Sequence, residues 1–448
     1  MKPVIAIIGR VNVGKSTLFN KLIGKQISII EDLPGTTRDR IVADTTILGR
    51  EVTFIDTGGL EPIDVTSLNQ KIKQQVDIAI SEADLIIFLT DVKTGITAVE
   101  RDIADMLRKG NKPTILAANK ADNASLEIQG NEFHRLGLGS PVIMSSHHGR
   151  GLNNLADKIL ELLPVDLSPE TKTSEQVLKL AIVGRPNVGK SMLLNALIGK
   201  ERVIVDSLAG TTRESVDTIL NFKGKEVLLI DTAGIKRRGR TGSGIEFYSL
   251  MRSLRAINRC DIALLVVDAV DFITSQDIHI AGFIKDAYKG MILVVNKWDL
   301  IHEQRQEDYA AHMRQRIKFL DHVPILFVSA KLKQGIDKII PSANEIWFER
   351  HKRLPDPVIN KLIKQASLSQ APSRKGLKRL EIFRAYQDGT DPPSFFFLVN
   401  DPKLVHFSYQ RYLENKLRQT FGFHGTSLRF RFMKAPRRKR QQSSENKT

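Results

Sequence analysis

The amino-acid sequence predicts an α/β protein with two copies of a mostly parallel sheet covered by helices on both faces, followed by a small α/β domain. Two observations support this prediction. Several short motifs occur twice in the same order, and the first of them, at Gly9 and Gly184, is separated by 175 residues. Within each copy, short apolar runs alternate with amphipathic stretches, which is typical of buried parallel strands connected by helices.

The predicted elements follow from this alternation. Short continuous apolar runs that end at a glycine or a polar residue are predicted strands, and stretches with apolar residues at helical spacing are predicted helices. In the first copy they are strands 4–8, 52–55, 85–89 and 114–118 and helix 15–23; in the second, strands 180–183, 227–230, 262–267 and 292–295 and helix 190–198. In the last domain they are helix 358–365, strands 380–386 and 394–399, helix 409–420 and strand 427–432.

Length and composition bound the class of protein. The chain has 448 residues, of which 42% are hydrophobic and 26% charged, which suits about three globular domains. No apolar stretch approaches the roughly 18 residues that span a bilayer, and we expect no signal peptide. The lone cysteine, Cys260, excludes an intrachain disulfide and fits a reducing compartment. We therefore expect a cytoplasmic protein, and we expect it to be a monomer.

The predicted domain boundaries coincide with changes in composition. The segment between the copies is polar, contains two prolines and shows no periodicity, so it is a predicted linker. The predicted segments are a first domain at 1–163, a linker at 164–176, a second domain at 177–352, a small α/β domain at 353–434 and a basic, disordered tail at 435–448.

The positive charge lies almost entirely at the C-terminal end. The whole chain carries +17, but residues 351–448 hold 21 Lys and Arg against 7 Asp and Glu, which is +14. This asymmetry predicts an acidic partner for the last domain, nucleic acid first. The alternative is a solubilising surface with a disordered tail.

The first repeated motif is Gly-x-x-x-x-Gly-Lys-Ser, a phosphate-binding loop between a strand and a helix. Its backbone N–H groups and the helix N-terminus suit phosphate. Lys15 and Lys190 would bridge the β- and γ-phosphates, and Ser16 and Ser191 would ligate Mg²⁺. The predicted residues are Gly9, Arg10, Val11, Asn12, Val13, Gly14, Lys15 and Ser16, and Gly184, Arg185, Pro186, Asn187, Val188, Gly189, Lys190 and Ser191.

Two further motifs point to the γ-phosphate and its metal. Thr37 and Thr212 could ligate Mg²⁺ and contact the γ-phosphate, in loops that the triphosphate would order; Thr36 and Thr211 are the alternatives. Asp56 and Asp231 end apolar runs, where a carboxylate can hold a Mg²⁺-bound water. The residues that follow are Thr57, Gly58, Gly59 and Leu60, and Thr232, Ala233, Gly234 and Ile235, with Gly59 and Gly234 leaving room for the γ-phosphate.

The last motif predicts the base. A carboxylate can accept hydrogen bonds from N1–H and the exocyclic amine of guanine, a donor pair that adenine lacks, so the sequence indicates GTP rather than ATP. Asp122 and Asp299 would do this. The predicted base-binding residues are Asn119, Lys120, Ala121 and Asp122, with Ser145 and Ser146, and Asn296, Lys297, Trp298 and Asp299, with Ser329 and Ala330.

In this order, the motifs resemble those of the translation-factor-related GTPases. Two such copies before a small basic α/β domain resemble the bacterial double-domain GTPase family Der (EngA), among the TrmE-Era-EngA-like GTPases. The resemblance covers nearly the whole chain. It implies two tandem Ras-like P-loop GTPase domains, a KH-like C-terminal domain and GTP hydrolysis in assembly of the large ribosomal subunit, with rRNA and ribosomal proteins as partners.

Two alternatives to this function remain at this point. One is a GTP/GDP-sensing regulator that binds RNA or ribosomes and hydrolyses GTP negligibly. This alternative is retained because Leu60 and Ile235 occupy the positions where Ras-type enzymes have the glutamine that positions water. The other is a tRNA-modification GTPase, which is disfavoured because no cofactor-binding domain or corresponding cysteine is evident.

The resemblance also implies a monovalent cation. Asn12 and Asn187 match the potassium-ligating asparagine of GTPases that lack the glutamine, and K⁺ there would stabilise charge on the leaving group. The alternative is that both asparagines only shape the loop. In the last domain, Gly422–Gly425 forms a Gly-x-x-Gly between a helix and the final strand, whereas KH modules carry theirs between two helices.

We therefore interpret Gly422 as a helix cap and Gly425 as a turn, and leave direct RNA binding by this domain open. Basic residues that could contact phosphate occur at 374–375, 378–379 and 437–440. Residues 236–240 form a basic segment that could exchange partners between protein and rRNA, or be a solvated loop.

Overall fold

The structure is a computed structural model that describes residues 3–23, 42–56, 76–77, 79–81, 83–163, 177–200, 217–222, 225–232, 245–301, 305–370, 372, 374–375 and 378–435. The predicted linker and residues 436–448 of the predicted tail lie outside these ranges. Among the described helices, none combines the length and apolar character needed to cross a membrane. The chain divides into two compact units.

The first unit contains a six-stranded sheet. Its strands lie in the order β2-β3-β1-β4-β5-β6, with every neighbour parallel except β2 and β3. The strands are β1 (Val4–Ile8), β2 (Val42–Ile47), β3 (Arg50–Asp56), β4 (Leu85–Asp91), β5 (Thr114–Asn119) and β6 (Val142–Ile143). The helices are α1 (Lys15–Ile23), α2 (Ala98–Lys109), α3 (Ala124–Gly130) and α4 (Leu152–Leu162).

The second unit contains a sheet with the same topology. The order β12-β11-β10-β7-β9-β8 repeats that of the first sheet when each strand is matched to its counterpart, including the antiparallel edge pair. The strands are β7 (Leu178–Val183), β8 (Thr218–Phe222), β9 (Lys225–Ile230), β10 (Ile262–Asp268), β11 (Gly290–Asn296) and β12 (Ile325–Phe327). The helices of the second copy in sequence are α5 (Lys190–Lys200), α6 (Ile245–Arg259), α7 (Ser275–Asp286), α8 (Gln306–Arg316) and α9 (Ile339–His351).

Both sheets bury apolar side chains on two faces, as the continuous apolar runs predict. In β1, Ile5 and Ile7 pack into the core under α1 and α4, while Ala6 and Ile8 pack into the core under α2. A strand with both faces covered must be apolar at every position. This requirement explains why β1, β4 and β10 are buried along their whole length.

Helix α6 lies within the second copy in sequence, between β9 and β10, but groups with the first unit. Its Arg255 side chain lies 3.5 Å from the Ser81 carbonyl oxygen and 3.7 Å from the Asp84 carboxylate. Asp84 also accepts a hydrogen bond from the Val4 N–H at 2.8 Å, at the start of β1. This helix therefore lies against the entry to the first sheet.

In its described residues, the C-terminal domain of the second unit has two helices, a three-stranded sheet and a short two-stranded sheet. Its elements are α10 (Asp356–Ser369), β13 (Arg374–Lys375), β14 (Lys378–Arg379), β15 (Ile382–Thr390), β16 (Pro393–Val399), α11 (Phe407–Phe421) and β17 (Arg429–Lys434). The main sheet has the order β15-β16-β17, antiparallel then parallel. The predicted fold class is confirmed.

Helix α10 begins two residues earlier than predicted, because Pro357 suits the first turn of a helix.

The Gly-x-x-Gly segment of this domain docks against the second six-stranded sheet. The Met291 N–H donates to the Gly425 carbonyl and the Gly425 N–H donates to the His322 carbonyl, each at 2.7 Å. Gly425 has φ +66°, and a Cβ there would lie 2.4 Å from the Ile346 side chain. Gly422 caps α11 as predicted, with φ +90° and its N–H bonded to the Arg418 carbonyl at 2.9 Å. The segment therefore serves an interface between domains.

A buried arginine completes this interface. Arg350, near the end of α9, is 2% exposed. It donates to the Tyr288 carbonyl at 2.6 Å, to Thr426 Oγ1 at 3.2 Å and to the Asp391 carboxylate at 2.8 Å. One guanidinium thus joins α9 to the turn before β11 and to two loops of the C-terminal domain.

We expect Arg350→Leu to destabilise the second unit by about 3 kcal/mol, because it leaves a buried carbonyl and a carboxylate without their donor. Calorimetric unfolding of the full chain measures this change. Arg353→Leu, which removes an exposed arginine on the same segment, is the matched control. Equal unfolding of the two variants would contradict the role assigned to Arg350.

Candidate nucleotide-binding sites

The two phosphate-binding loops have the same backbone conformation. Asn12 and Asn187 have φ +66° and +65°, and Gly14 and Gly189 have φ +98° and +96°. A Cβ on Gly14 would lie 2.5 Å from Asn119 Nδ2, and one on Gly189 would lie 2.2 Å from the equivalent atom of Asn296. Glycine is thus required at this position by backbone conformation and by space.

The loop lysines lie across their own loops. Lys15 Nζ donates to the carbonyls of Gly9 at 2.9 Å and Arg10 at 2.7 Å. Lys190 Nζ donates to the corresponding carbonyls of Gly184 and Arg185, both at 2.6 Å. Each ammonium is therefore positioned inside the curve of the loop, where a phosphate chain would meet it.

Burial lowers the pKa of both lysines. For Lys15 the lowering is partly opposed by the charge of Asp56. For Lys190 the pKa falls to about 8, with Asp277 opposing the lowering. Each site thus holds a partly desolvated ammonium that an anionic ligand would stabilise.

The structure brings together two of the predicted Mg²⁺ ligands. Ser16 Oγ donates to Asp56 Oδ2 at 2.7 Å, and Asp56 is buried at the end of β3. In the second copy, the Asp231 N–H donates to Asp217 Oδ1 at 2.9 Å. Thr232 Oγ1 lies 2.8 Å from Thr218 Oγ1. The remaining predicted residues of these motifs, Thr37, Thr57, Gly58, Gly59, Leu60, Thr212, Ala233, Gly234 and Ile235, lie outside the described residues.

An asparagine joins the phosphate loop to the base loop in each copy. Asn119 Nδ2 donates to the Val13 carbonyl at 2.8 Å, and its Oδ1 accepts from the Ser146 N–H and Oγ, both at 2.9 Å. Asn296 Nδ2 donates to the Val188 carbonyl at 2.9 Å, and its Oδ1 accepts from the Ala330 N–H at 3.0 Å. The side-chain amides of Asn119 and Asn296, two of the predicted base-binding residues, therefore hold the phosphate loop and the base loop together.

The lysines of the base motif are held by carboxylates that sequence reasoning missed. Lys120 Nζ donates to Asp91 Oδ2 at 2.7 Å and to the Asn12 carbonyl at 2.6 Å. Lys297 pairs with Asp268 in the same way. Asp91 and Asp268 are the last residues of β4 and β10. Their position at equivalent strand ends in both copies is the signal that could have found them.

The two aspartates predicted to select the base differ in their surroundings. Asp122 accepts from Lys93 Nζ and from Ser145 Oγ, both at 2.7 Å, and these hydrogen bonds hold its pKa below the usual range. Asp299 Oδ1 is buried and has no hydrogen-bond partner among the described residues. A buried carboxylate oxygen without a donor is costly, and the N1–H or exocyclic amine of guanine would supply one.

A second set of missed residues anchors the arginine of each phosphate loop. The fully buried Glu100 accepts from the Thr97 N–H at 3.0 Å, in the capping box of α2, and also binds Arg10 Nε. In the second copy, Asp277 at the start of α7 lies 3.5 Å from Arg185 Nε. A helix cap and a loop arginine thus share one carboxylate.

The geometry defines a class of protein. Two strand-loop-helix phosphate loops, each with a predicted base-selecting aspartate after a neighbouring strand, are typical of a tandem P-loop GTPase. The sequence model of a family described as 50S ribosome-binding GTPases matches residues 4–120 and 179–297. A model described as the KH-domain-like C-terminal domain of EngA bacterial GTPase enzymes matches residues 353–433.

The chain is also similar to curated proteins over nearly its whole length. It is 46% identical to GTPase Der of Chloroflexus aggregans over 95% of this chain and 97% of that protein. It is 43% identical to GTPase Der of Clostridium perfringens, over 96% and 98%, and 46% identical to that of Herpetosiphon aurantiacus, over 95% of each. The chain belongs to the GTPase Der family. It is a GTPase, and its nucleotides are GTP and GDP.

We expect the affinity of the second site for GDP to fall as pH rises above about 8. Below that pH, Lys190 already carries the charge that phosphate needs; above it, binding must first protonate the amine, which costs about tenfold in affinity per pH unit. Fluorescent GDP titrations of a Lys15→Ala chain, which silences the first site, measure this dependence.

The control is Lys190→Arg in the same background, because arginine remains charged throughout this range. It also corrects for titration of the nucleotide itself. A pH dependence that is identical in the lysine and arginine proteins would rule out Lys190 as its source.

Proposed function

We propose that this GTPase acts in assembly of the large ribosomal subunit, binding precursor particles with GTP and leaving after hydrolysis. The observation that carries the proposal is the pair of phosphate loops and base motifs in a chain of the Der family, whose GTPase domains match a family described by 50S ribosome binding. The basic C-terminal domain supports a ribosomal partner, because rRNA is polyanionic.

The proposed roles of the residues follow from their contacts. Lys15 and Lys190 neutralise the β- and γ-phosphates, and the loop N–H groups bind the β-phosphate. Asp122 and Asp299 accept from guanine, and Asp299 Oδ1 then gains the donor that it lacks. Lys120 and Lys297, held by carboxylates at their strand ends, lie along the base.

We assign Mg²⁺ to the hydroxyl and carboxylate pair at each phosphate loop. The fit rests on Ser16 Oγ and Asp56 Oδ2, which lie 2.7 Å apart and offer the hard oxygen donors that Mg²⁺ prefers. Ser191 and Asp231 are the counterparts. Thr37 and Thr212 are the proposed third protein contacts. When bound, the ion would neutralise charge on the β- and γ-phosphate oxygens.

We further propose that K⁺ stimulates hydrolysis through Asn12 and Asn187. Both asparagines have backbone in the left-handed region at equivalent places in their loops. The proposed ligand is the side-chain amide oxygen, a hard donor that suits such a cation. A cation near the bridging oxygen would stabilise the leaving group in a chain that has Leu60 and Ile235 in place of a catalytic glutamine.

Hydrolysis should be about tenfold faster in KCl than in NaCl at equal ionic strength, a difference of about 1.4 kcal/mol in barrier. Phosphate release measures it. Asn12→Gly with Asn187→Gly should abolish the difference, because glycine retains the φ of about +66° but removes the ligand. Asn153→Gly with Asn154→Gly, on the exposed face of α4, is the control. A response to K⁺ that survives in the loop double variant would mean that the asparagines only shape the loop.

Association with ribosomal particles should depend on the nucleotide. In extracts, the tagged chain should recover large-subunit material with a non-hydrolysable GTP analogue and little with GDP, since the triphosphate state is the binding state. Rapid sedimentation and RNA sequencing identify the particles. The Lys15→Ala, Lys190→Ala chain is the control. Recovery of no ribosomal material in either state would refute the assembly role.

A further inference from the structure

The three-stranded sheet of the C-terminal domain has two different faces. One face packs into the core of the domain, and the other lies away from that core. Ala385, Phe395 and Phe397 belong to the core formed with α10 and α11. Because side chains alternate along a strand, their neighbours Tyr386 and Phe396 point away from that core. The face that carries these two rings is here named the open face.

The open face carries a stacked aromatic pair. Tyr386 and Phe396 are directly paired across β15 and β16, with ring centroids 5.1 Å apart and planes inclined by 26°. Both side chains are half-buried. The Arg384 guanidinium lies 5.8 Å from the centre of the Tyr386 ring. Flat rings beside a guanidinium are the arrangement on which unpaired nucleic-acid bases stack.

Cations border the rings. Arg431 on β17 pairs across the sheet with Phe396, and Arg384 lies two residues before Tyr386 on β15. Each arginine contacts one exposed carboxylate, Arg384 with Asp356 at 3.1 Å and Arg431 with Asp388 at 3.3 Å. Such exposed ion pairs contribute little and exchange readily for phosphate. With +14 in residues 351–448, the charge of this region favours a polyanion over an acidic peptide patch.

The segment with which ordinary KH domains bind RNA is engaged within this chain. Their Gly-x-x-Gly clamps the RNA backbone, but here Gly425 has both its N–H and its carbonyl bonded to the second GTPase domain. Phe423 within the segment is fully buried. Any RNA contact by this domain would therefore need another surface.

We propose that the open face, through Tyr386, Phe396, Arg384 and Arg431, binds single-stranded RNA. Unpaired bases stack on the two rings, and the guanidiniums contact the adjacent phosphates. Only the source of that RNA, an rRNA segment of a precursor particle, rests on the proposed function. The site itself is independent of the nucleotide sites.

The test uses the full chain and two probes, a fluorescein-labelled single-stranded oligouridylate and a labelled RNA duplex, with affinity read by anisotropy. Tyr386→Leu with Phe396→Leu keeps apolar bulk but removes both rings. It should weaken oligouridylate binding about tenfold or more, with little change in the salt dependence and little effect on the duplex. Phe407→Leu, which removes a 41% exposed ring at the start of α11, is the matched control.

Charge and stacking can be separated in the same assay. Arg384→Gln with Arg431→Gln should reduce the slope of log affinity against log salt by about 1.4, about 0.7 for each phosphate contact. Melting temperature and GTP hydrolysis check that each variant is folded, and the single Tyr386→Leu variant replaces the double one if that fails to fold.

Three results would overturn the proposal: no binding of oligouridylate by the unmodified chain at low salt, equal affinity of the ring variant, or an equal loss on the duplex. Failure of the assembly role is a separate result. It would appear as loss of ribosomal recovery in the nucleotide-dependent pulldown while oligouridylate binding remains.

Discussion

Each nucleotide site depends on one side-chain amide that holds two loops together. Asn119 and Asn296 donate to a carbonyl of the phosphate loop and accept from the loop that follows the next strand. The amide lies so close to the phosphate loop that only glycine fits at Gly14 and Gly189. Contacts within the chain therefore fix the phosphate loop and the base loop relative to each other, which reduces the cost of ordering the site.

The two copies share this framework but differ in charge around it. Glu100 reaches Arg10, whereas the shorter side chain of Asp277 leaves Arg185 shared with Asp271, at 2.6 Å. Arg185 Nε and Asp277 Oδ1 are buried without hydrogen-bond partners among the described residues, and burial raises the pKa of Asp277. The extra methylene of Glu100 thus allows a direct ion pair with Arg10, whereas the pair of Asp277 with Arg185 is longer, at 3.5 Å.

Much of this architecture could be predicted from the sequence. The continuous apolar runs predicted buried parallel strands, and the duplicated motifs predicted two sites because ligand contacts occur at strand ends and helix starts. Pairings between distant residues, such as Lys120 with Asp91 or Arg350 with Asp391, could not be predicted. No local periodicity or turn chemistry records which strand ends or loops become neighbours.

The sequence by itself determined the fold class, the duplication, the nucleotide chemistry and the location of the charge. Each of these depends on local patterns or on composition. Only the tertiary structure decided that Gly425 serves an interface between domains, and that Tyr386 and Phe396 form a stacked pair. The reason is physical: both outcomes depend on strand register and on the packing of surfaces far apart in the chain, and the same residues in another register would have faced the core.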